Sequence, residues 1–121
     1  MTKNWFVTFK NALGGCLYAF RTQKNFKVHF LLSFLLIALA FWLEISLGRL
    51  LFLIFAITFG LTIEMANTAF EKTVDLITEK YHPKARIAKD VSAGMMLLAS
   101  VGLAILGVLI LLPPLWRKLG F

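Results

Sequence analysis

The sequence predicts an all-α membrane protein, with an N-terminal amphipathic surface helix followed by three transmembrane helices. Three observations predict it. Of the 121 residues, 60% are hydrophobic and only 16% are charged, too apolar a balance for a soluble core of this size. The apolar residues gather into three long stretches, and the cations sit beside those stretches rather than on a polar helix or an aromatic-studded sheet. The net charge of +7 therefore points to anionic headgroups and nucleotide phosphates rather than to nucleic acid. No Ser/Gly/Pro-rich linker, repeat or low-complexity block interrupts residues 1–121, which read as a single domain.

The surface helix covers about residues 4–22. Trp5, Phe6, Phe9, Leu13, Leu17 and Phe20 recur at helical spacing while Lys10, Asn11 and Arg21 point elsewhere, the pattern of a helix lying in a membrane surface. Cys16 stands alone, so it offers neither an internal disulfide nor a thiolate cluster and is expected to fill apolar space. The first long apolar run begins after residue 27 and lacks a small-residue cleavage site, so the N-terminus is expected to stay in the mature chain.

A hydrocarbon core about 30 Å thick needs about 20 helical residues, or fewer where flanking side chains snorkel. Residues 28–43 and 91–112 come close, and Pro113 and Pro114, which lack backbone donors, are expected to end the last span. The middle stretch, Leu50 to Ile63, is only 14 residues, about 21 Å of helix, and must continue through Glu64 to about residue 70. Glu64 and Asn67 then lie inside a membrane helix near one of its ends.

Charge predicts which end. Lys3, Lys10, Arg21, Lys24 and Lys27 precede the first span, and Lys72, Lys80, Lys84, Arg86 and Lys89 separate the second from the third. The loop between the first two spans carries only Arg49. The positive-inside rule then puts the N-terminus and residues 71–90 in the cytoplasm, with Arg117 and Lys118 outside. Trp42 and Trp116 fall at the outer ends of their spans, as interfacial aromatics should.

Of the six acidic residues, Glu64, Glu71, Asp75, Glu79 and Asp90 all lie between positions 64 and 90. On a helix turning about 100° per residue, Glu64, Glu71 and Asp75 fall within about 40° of one another, flanked by Asn67 and Thr68. A carboxylate at membrane depth is expensive and usually lines a site or a polar pathway. Carboxylates with nearby lysines suit a divalent cation carrying phosphates, and a carboxylate beside a hydroxyl can deprotonate a nucleophile. Neither G-x-x-x-x-G-K-[ST] nor G-x-G-x-x-G occurs, so a nucleotide site would be built differently from the soluble ones. The residues alone leave phosphoryl transfer and cation transport both open, the latter as a small oligomeric transporter or channel.

The run Glu64-Met65-Ala66-Asn67-Thr68-Ala69-Phe70-Glu71, followed by Val74-Asp75, resembles the E-x-x-N-[ST]-A-[IF]-E-x-x-V-D signature of the bacterial diacylglycerol kinase and undecaprenol kinase family. Ala88-Lys89-Asp90-Val91-Ser92-Ala93-Gly94 resembles the family's A-K-D-x-[AS]-A-[GA] pattern. Phe9, Ala12, Gly15, Tyr18-Ala19 and Asn25-Phe26 also fit, so the likeness covers nearly the whole chain. It implies a homotrimeric helical bundle in the bacterial inner membrane that transfers the γ-phosphate of Mg-ATP to a lipid alcohol, at sites between subunits.

On that resemblance Glu64 would be the general base and Asn67 would help position it. Glu71 would hold Mg²⁺ and Lys89 would contact ATP phosphates, with Asp90, Tyr81 and His82 on the nucleotide side and Asp75 and Thr68 in support. Tyr81 and His82 before Pro83 would equally make an ordinary helix-ending turn. Lys89 would equally suit an interface. Where the diacylglycerol branch has a metal-binding glutamate, this chain has Gln23, whose amide oxygen carries no charge. The segment Arg21 to His29, together with Tyr81-His82-Pro83, is more similar to the undecaprenol kinase branch, so undecaprenol is the expected acceptor and diacylglycerol the alternative. His29 is expected to be an interface residue.

Overall fold

The computed structural model describes residues 4–121; Lys3, counted above among the inner-side cations, lies outside the described residues. Four helices follow in order: α1 (Trp5–Thr22), α2 (Lys24–Trp42), α3 (Leu47–Ile77) and α4 (Pro83–Lys118). The last three are long and apolar enough to cross a membrane. They run alternately up and down, with α3 and α4 the most closely packed pair. No strand occurs among the described residues.

The starts of α1, α3 and α4 each have a side-chain acceptor for the donors that a first turn leaves unpaired, whereas Gln23 at the start of α2 offers none. Asn4 Oδ1 accepts from the N–H groups of Phe6 at 3.1 Å and Val7 at 3.4 Å, and Ser46 Oγ accepts from the Arg49 N–H at 3.3 Å. His82 Nδ1 accepts from the Lys84 N–H at 3.1 Å. Pro83 takes the first helical position, where a missing donor costs nothing. The Tyr81-His82-Pro83 turn therefore starts α4. It does not end α3, which stops at Ile77 with Thr78 as its cap.

With 31 and 36 residues, α3 and α4 extend about 46 and 54 Å, longer than a bilayer core. They are aligned with α2 near Trp42, so the excess lies at the other end, beyond Glu64. Large apolar side chains cover the outside, Phe52 at 62% and Leu98 at 77% exposure among them; water penalises such a surface and lipid does not. Hydroxyls within the helices turn back onto the preceding turn, as Ser33 does to the His29 carbonyl and Thr62 to the Thr58 carbonyl, each at 2.7 Å.

Burial divides the bundle into two halves. Ala40, Leu43, Leu53, Ile110 and Leu111 form an apolar core near the α2–α3 turn. Toward the other end the buried side chains include Ser33, Glu64, Thr68 and Ser92. Helix α1 joins through Phe20, which meets Phe26 and Phe30 edge-on at 6.5 and 5.5 Å. Cys16 is exposed on α1 and fills no core.

Pro113 and Pro114 do not end α4, contrary to the expectation from their missing donors; the helix continues to Lys118. Each proline deprives the carbonyl four residues earlier of its partner, leaving those of Leu109 and Ile110 open. Arg49 Nη1 donates to both, at 3.1 and 2.8 Å. One guanidinium from α3 thus replaces the two hydrogen bonds the prolines remove. Next to it, Lys118 Nζ donates to the Trp42 carbonyl and sits 4.8 Å from the centre of the Trp42 ring.

Candidate active site

Glu64, Glu71 and Asp75 come from the second half of α3, and α4 begins alongside them. Leu53, Ala56, Gly60, Glu64 and Thr68 are the buried residues of α3, a spacing of three and four that turns one stripe of the helix inward. Glu64 is 4% exposed, yet its carboxylate has no ion pair or hydrogen bond among the described residues. No side-chain polar atom that is fully closed off lacks a partner, so the carboxylate oxygens remain reachable from outside the chain. Thr68 Oγ1 donates to the Glu64 carbonyl at 3.0 Å, so the hydroxyl serves the backbone of the helix rather than the carboxylate.

Asn67 meets α4. Ser92 Oγ donates to Asn67 Oδ1 at 2.6 Å, which fixes the amide and leaves its two N–H groups as donors for another partner. Ser92 belongs to the quoted Ala88–Gly94 segment but was assigned no part there; only the packing of α3 on α4 reveals its role. Two turns further along α3, Lys89 Nζ pairs with Asp75 Oδ1 at 2.6 Å. This hydrogen bond to the carboxylate raises the Lys89 pKa above the ordinary lysine range. Asp90 lies 3.7 Å from Arg86 in an exposed pair one turn apart, and Glu71 and Tyr81 are exposed. His82 is occupied as the α4 cap, and Gln23, at the α1–α2 junction, donates to Thr22 Oγ1 at 3.3 Å.

Gly60 is a contributor that the sequence did not single out. A Cβ there would collide with His29 Cε1 and lie 2.6 Å from His29 Nε2 and 2.9 Å from Leu103 Cδ1. The His29 ring fills the notch that the glycine opens, packed between α2 and α3. Helical side chains lean toward the helix N-terminus, so Glu64, one turn after Gly60, leans toward the level of this imidazole.

Among the described residues no three of His, Cys, Asp and Glu converge as a metal cluster. Glu71 is an exposed carboxylate on the stripe, and a hard cation such as Mg²⁺ takes one or two carboxylates and completes its shell with phosphates and water.

The prokaryotic diacylglycerol kinase family matches residues 10–111. A diacylglycerol kinase of Synechocystis is 39% identical over 93% of this chain, which spans 65% of that protein's length. An undecaprenol kinase of Bacillus subtilis is 37% identical over 92% of this chain and 90% of its own length. A diacylglycerol kinase of Pseudomonas aeruginosa is 34% identical over 84% of this chain and 82% of its own. These matches span both α3 and α4, and they select phosphoryl transfer over the transporter or channel that the carboxylates alone also allowed. With its three membrane-crossing helices and the polar seam between α3 and α4, the chain belongs to the prokaryotic diacylglycerol kinase family, a family of membrane lipid kinases.

Proposed function

We propose that this protein transfers the γ-phosphate of ATP to the hydroxyl of undecaprenol, giving undecaprenyl phosphate and ADP. The observation that carries the reading is Glu64, a carboxylate 4% exposed, unpaired within the chain and placed near the end of a membrane helix. There a lipid alcohol and soluble ATP can meet. The Glu64 carboxylate takes the proton of the lipid hydroxyl, and the hydroxyl oxygen bonds to the γ-phosphorus. The bond from that phosphorus to the β–γ bridging oxygen breaks, and ADP leaves with the electron pair. The free N–H groups of Asn67, held by Ser92, orient the acceptor oxygen. Lys89 and Asp90 lie toward the nucleotide, with Tyr81 and His82 in the preceding turn. Mg²⁺, held by Glu71 with Gln23 as a neutral second donor, would offset charge on the phosphoryl oxygens.

Undecaprenol is favoured over diacylglycerol by Gln23, which stands where a metal-binding glutamate is expected in the diacylglycerol branch. The relative named undecaprenol kinase also matches over 90% of its own length. The positive-inside distribution supports a cytoplasmic site and N-terminus. We assign the protein as a homotrimer in the bacterial plasma membrane. Exposed Val91, Leu98, Val101, Ile105 and Val108 recur along α4, a stripe that suits another subunit's helix.

The test is phosphate transfer from Mg-ATP in mixed micelles, with undecaprenol and diacylglycerol at equal mole fraction. Faster phosphorylation of undecaprenol is expected. A preference for diacylglycerol would overturn the acceptor, and transfer to neither would overturn the activity.

A further inference from the structure

At the end of the bundle opposite Glu64, charged side chains of both signs share a space that the proposed reaction does not use. A cavity of about 410 Å³ opens between the α2–α3 turn and the end of α4, lined by Glu44, Ser46, Arg49, Arg117 and Lys118 among others. A second, of about 500 Å³, shares Arg49 and Arg117 and is otherwise walled by Leu112, Pro113 and Trp116. Three cations thus face one carboxylate, but Glu44 lies within ion-pair distance of none of them among the described residues. Opposite charges that line one cavity without meeting leave room for a ligand carrying both.

The cations differ in how far they are already used. Lys118 is committed to the Trp42 carbonyl and ring. Arg49 spends Nη1 on the Leu109 and Ile110 carbonyls, which leaves its Nε and Nη2 donors. The Arg117 guanidinium has no hydrogen bond or ion pair among the described residues. Glu44 sits in the left-handed region at φ 52°, a conformation that a non-glycine residue rarely adopts. The turn holds it there beside the cavity.

We propose that this cavity binds the headgroup of a zwitterionic glycerophospholipid. The phosphodiester sits against the free donors of Arg49 and Arg117, and a primary ammonium sits against Glu44. The apolar second cavity continues from the same two arginines along Leu112, Pro113 and Trp116, where the glycerol and the start of an acyl chain would lie. This continuation favours a lipid over a free anion. Trp42 and Trp116 place the pair of cavities at headgroup depth. The site is separate from the kinase centre and does not depend on it.

The full chain, purified in detergent and stripped of lipid, is titrated with short-chain phosphatidylethanolamine, short-chain phosphatidylglycerol and inorganic phosphate. Binding is read by native mass spectrometry and melting temperature. Phosphatidylethanolamine is expected to bind about tenfold more tightly than phosphatidylglycerol, the scale of one charge-assisted contact. Glu44→Gln should remove that preference, and Arg117→Gln should weaken both lipids about tenfold. Both positions are exposed, and the unliganded melting temperature of each variant reports its folding. Equal affinity for the two lipids in the parent, or unchanged affinity in Arg117→Gln, would overturn the proposal. So would equal protection by inorganic phosphate, which would identify a free-anion site.

Discussion

The two ends of the bundle handle charge at membrane depth in opposite ways. Near the α2–α3 turn, Arg49 and Lys118 donate to backbone carbonyls, above a core of Leu53, Ile110 and Leu111. Toward the other end, side chains pair with side chains, Ser92 with Asn67 and Lys89 with Asp75, and Glu64 is buried with no partner among the described residues. The first arrangement is explained by helix continuity alone. The second is not, since an unpaired buried carboxylate costs stability and gives the fold nothing in return. Structure and chemistry are thus divided between the ends of the same three helices.

The contrast breaks most directly at Glu64. Glu64→Gln should lower phosphate transfer by about 10²–10⁴-fold, the range for a general base, and should leave the melting temperature unchanged or raised. A variant that unfolds with its activity intact per folded molecule would make Glu64 structural. Arg49→Gln should do the reverse, lowering stability by about 2–4 kcal/mol because two carbonyls lose their donors, with turnover per folded molecule retained. Replacing Pro113 and Pro114 with alanine in the same chain should restore most of that loss by returning the backbone N–H groups. Denaturant titration of the four combinations measures this, and strictly additive losses would sink the coupling.

A smaller effect sharpens the boundary between the halves. Gly60→Ala forces the His29 ring out of its notch and should cost about 1–3 kcal/mol, as overpacking does; adding His29→Ala should recover much of it. Smallest is Asp75→Asn. The Asp75–Lys89 pair is about 40% exposed and solvent-screened, so no clear change in melting temperature is expected. Because the lysine pKa is raised in the folded state, the pair's contribution is full below the ordinary lysine pKa of about 10.4 and fades as pH climbs through the folded value. A pair contribution that grew as pH climbed above the ordinary lysine pKa would contradict that sign.

The helices were legible because hydropathy and caps are local. Helix α2 covers the expected stretch 28–43 up to Trp42, α3 includes 50–70, and α1 runs from Trp5 to Thr22. The third span was cut short at Leu112 because the rule about proline considers only its own helix; the donor that overrides it is Arg49, sixty positions earlier. The carboxylate stripe was legible from angular spacing, but the spacing did not separate Glu64, which is buried, from Glu71, which is exposed. Its surroundings were not. The Ser92–Asn67 bond and the His29 ring against Gly60 join different helices, and neither residue type announces such a partner. His82 suits both a nucleotide-side residue and a turn before Pro83, and its Nδ1 caps α4.

The reach of Arg49 to the carbonyls before the two prolines also constrains how the protein can be assembled. A bilayer offers no water to open carbonyls, each of which costs several kcal/mol there. The final turns of α4 are therefore costly to place in lipid until the start of α3 is beside them. Arg49 precedes Pro113 and Pro114 in the chain, so the donor is synthesised before the carbonyls that need it.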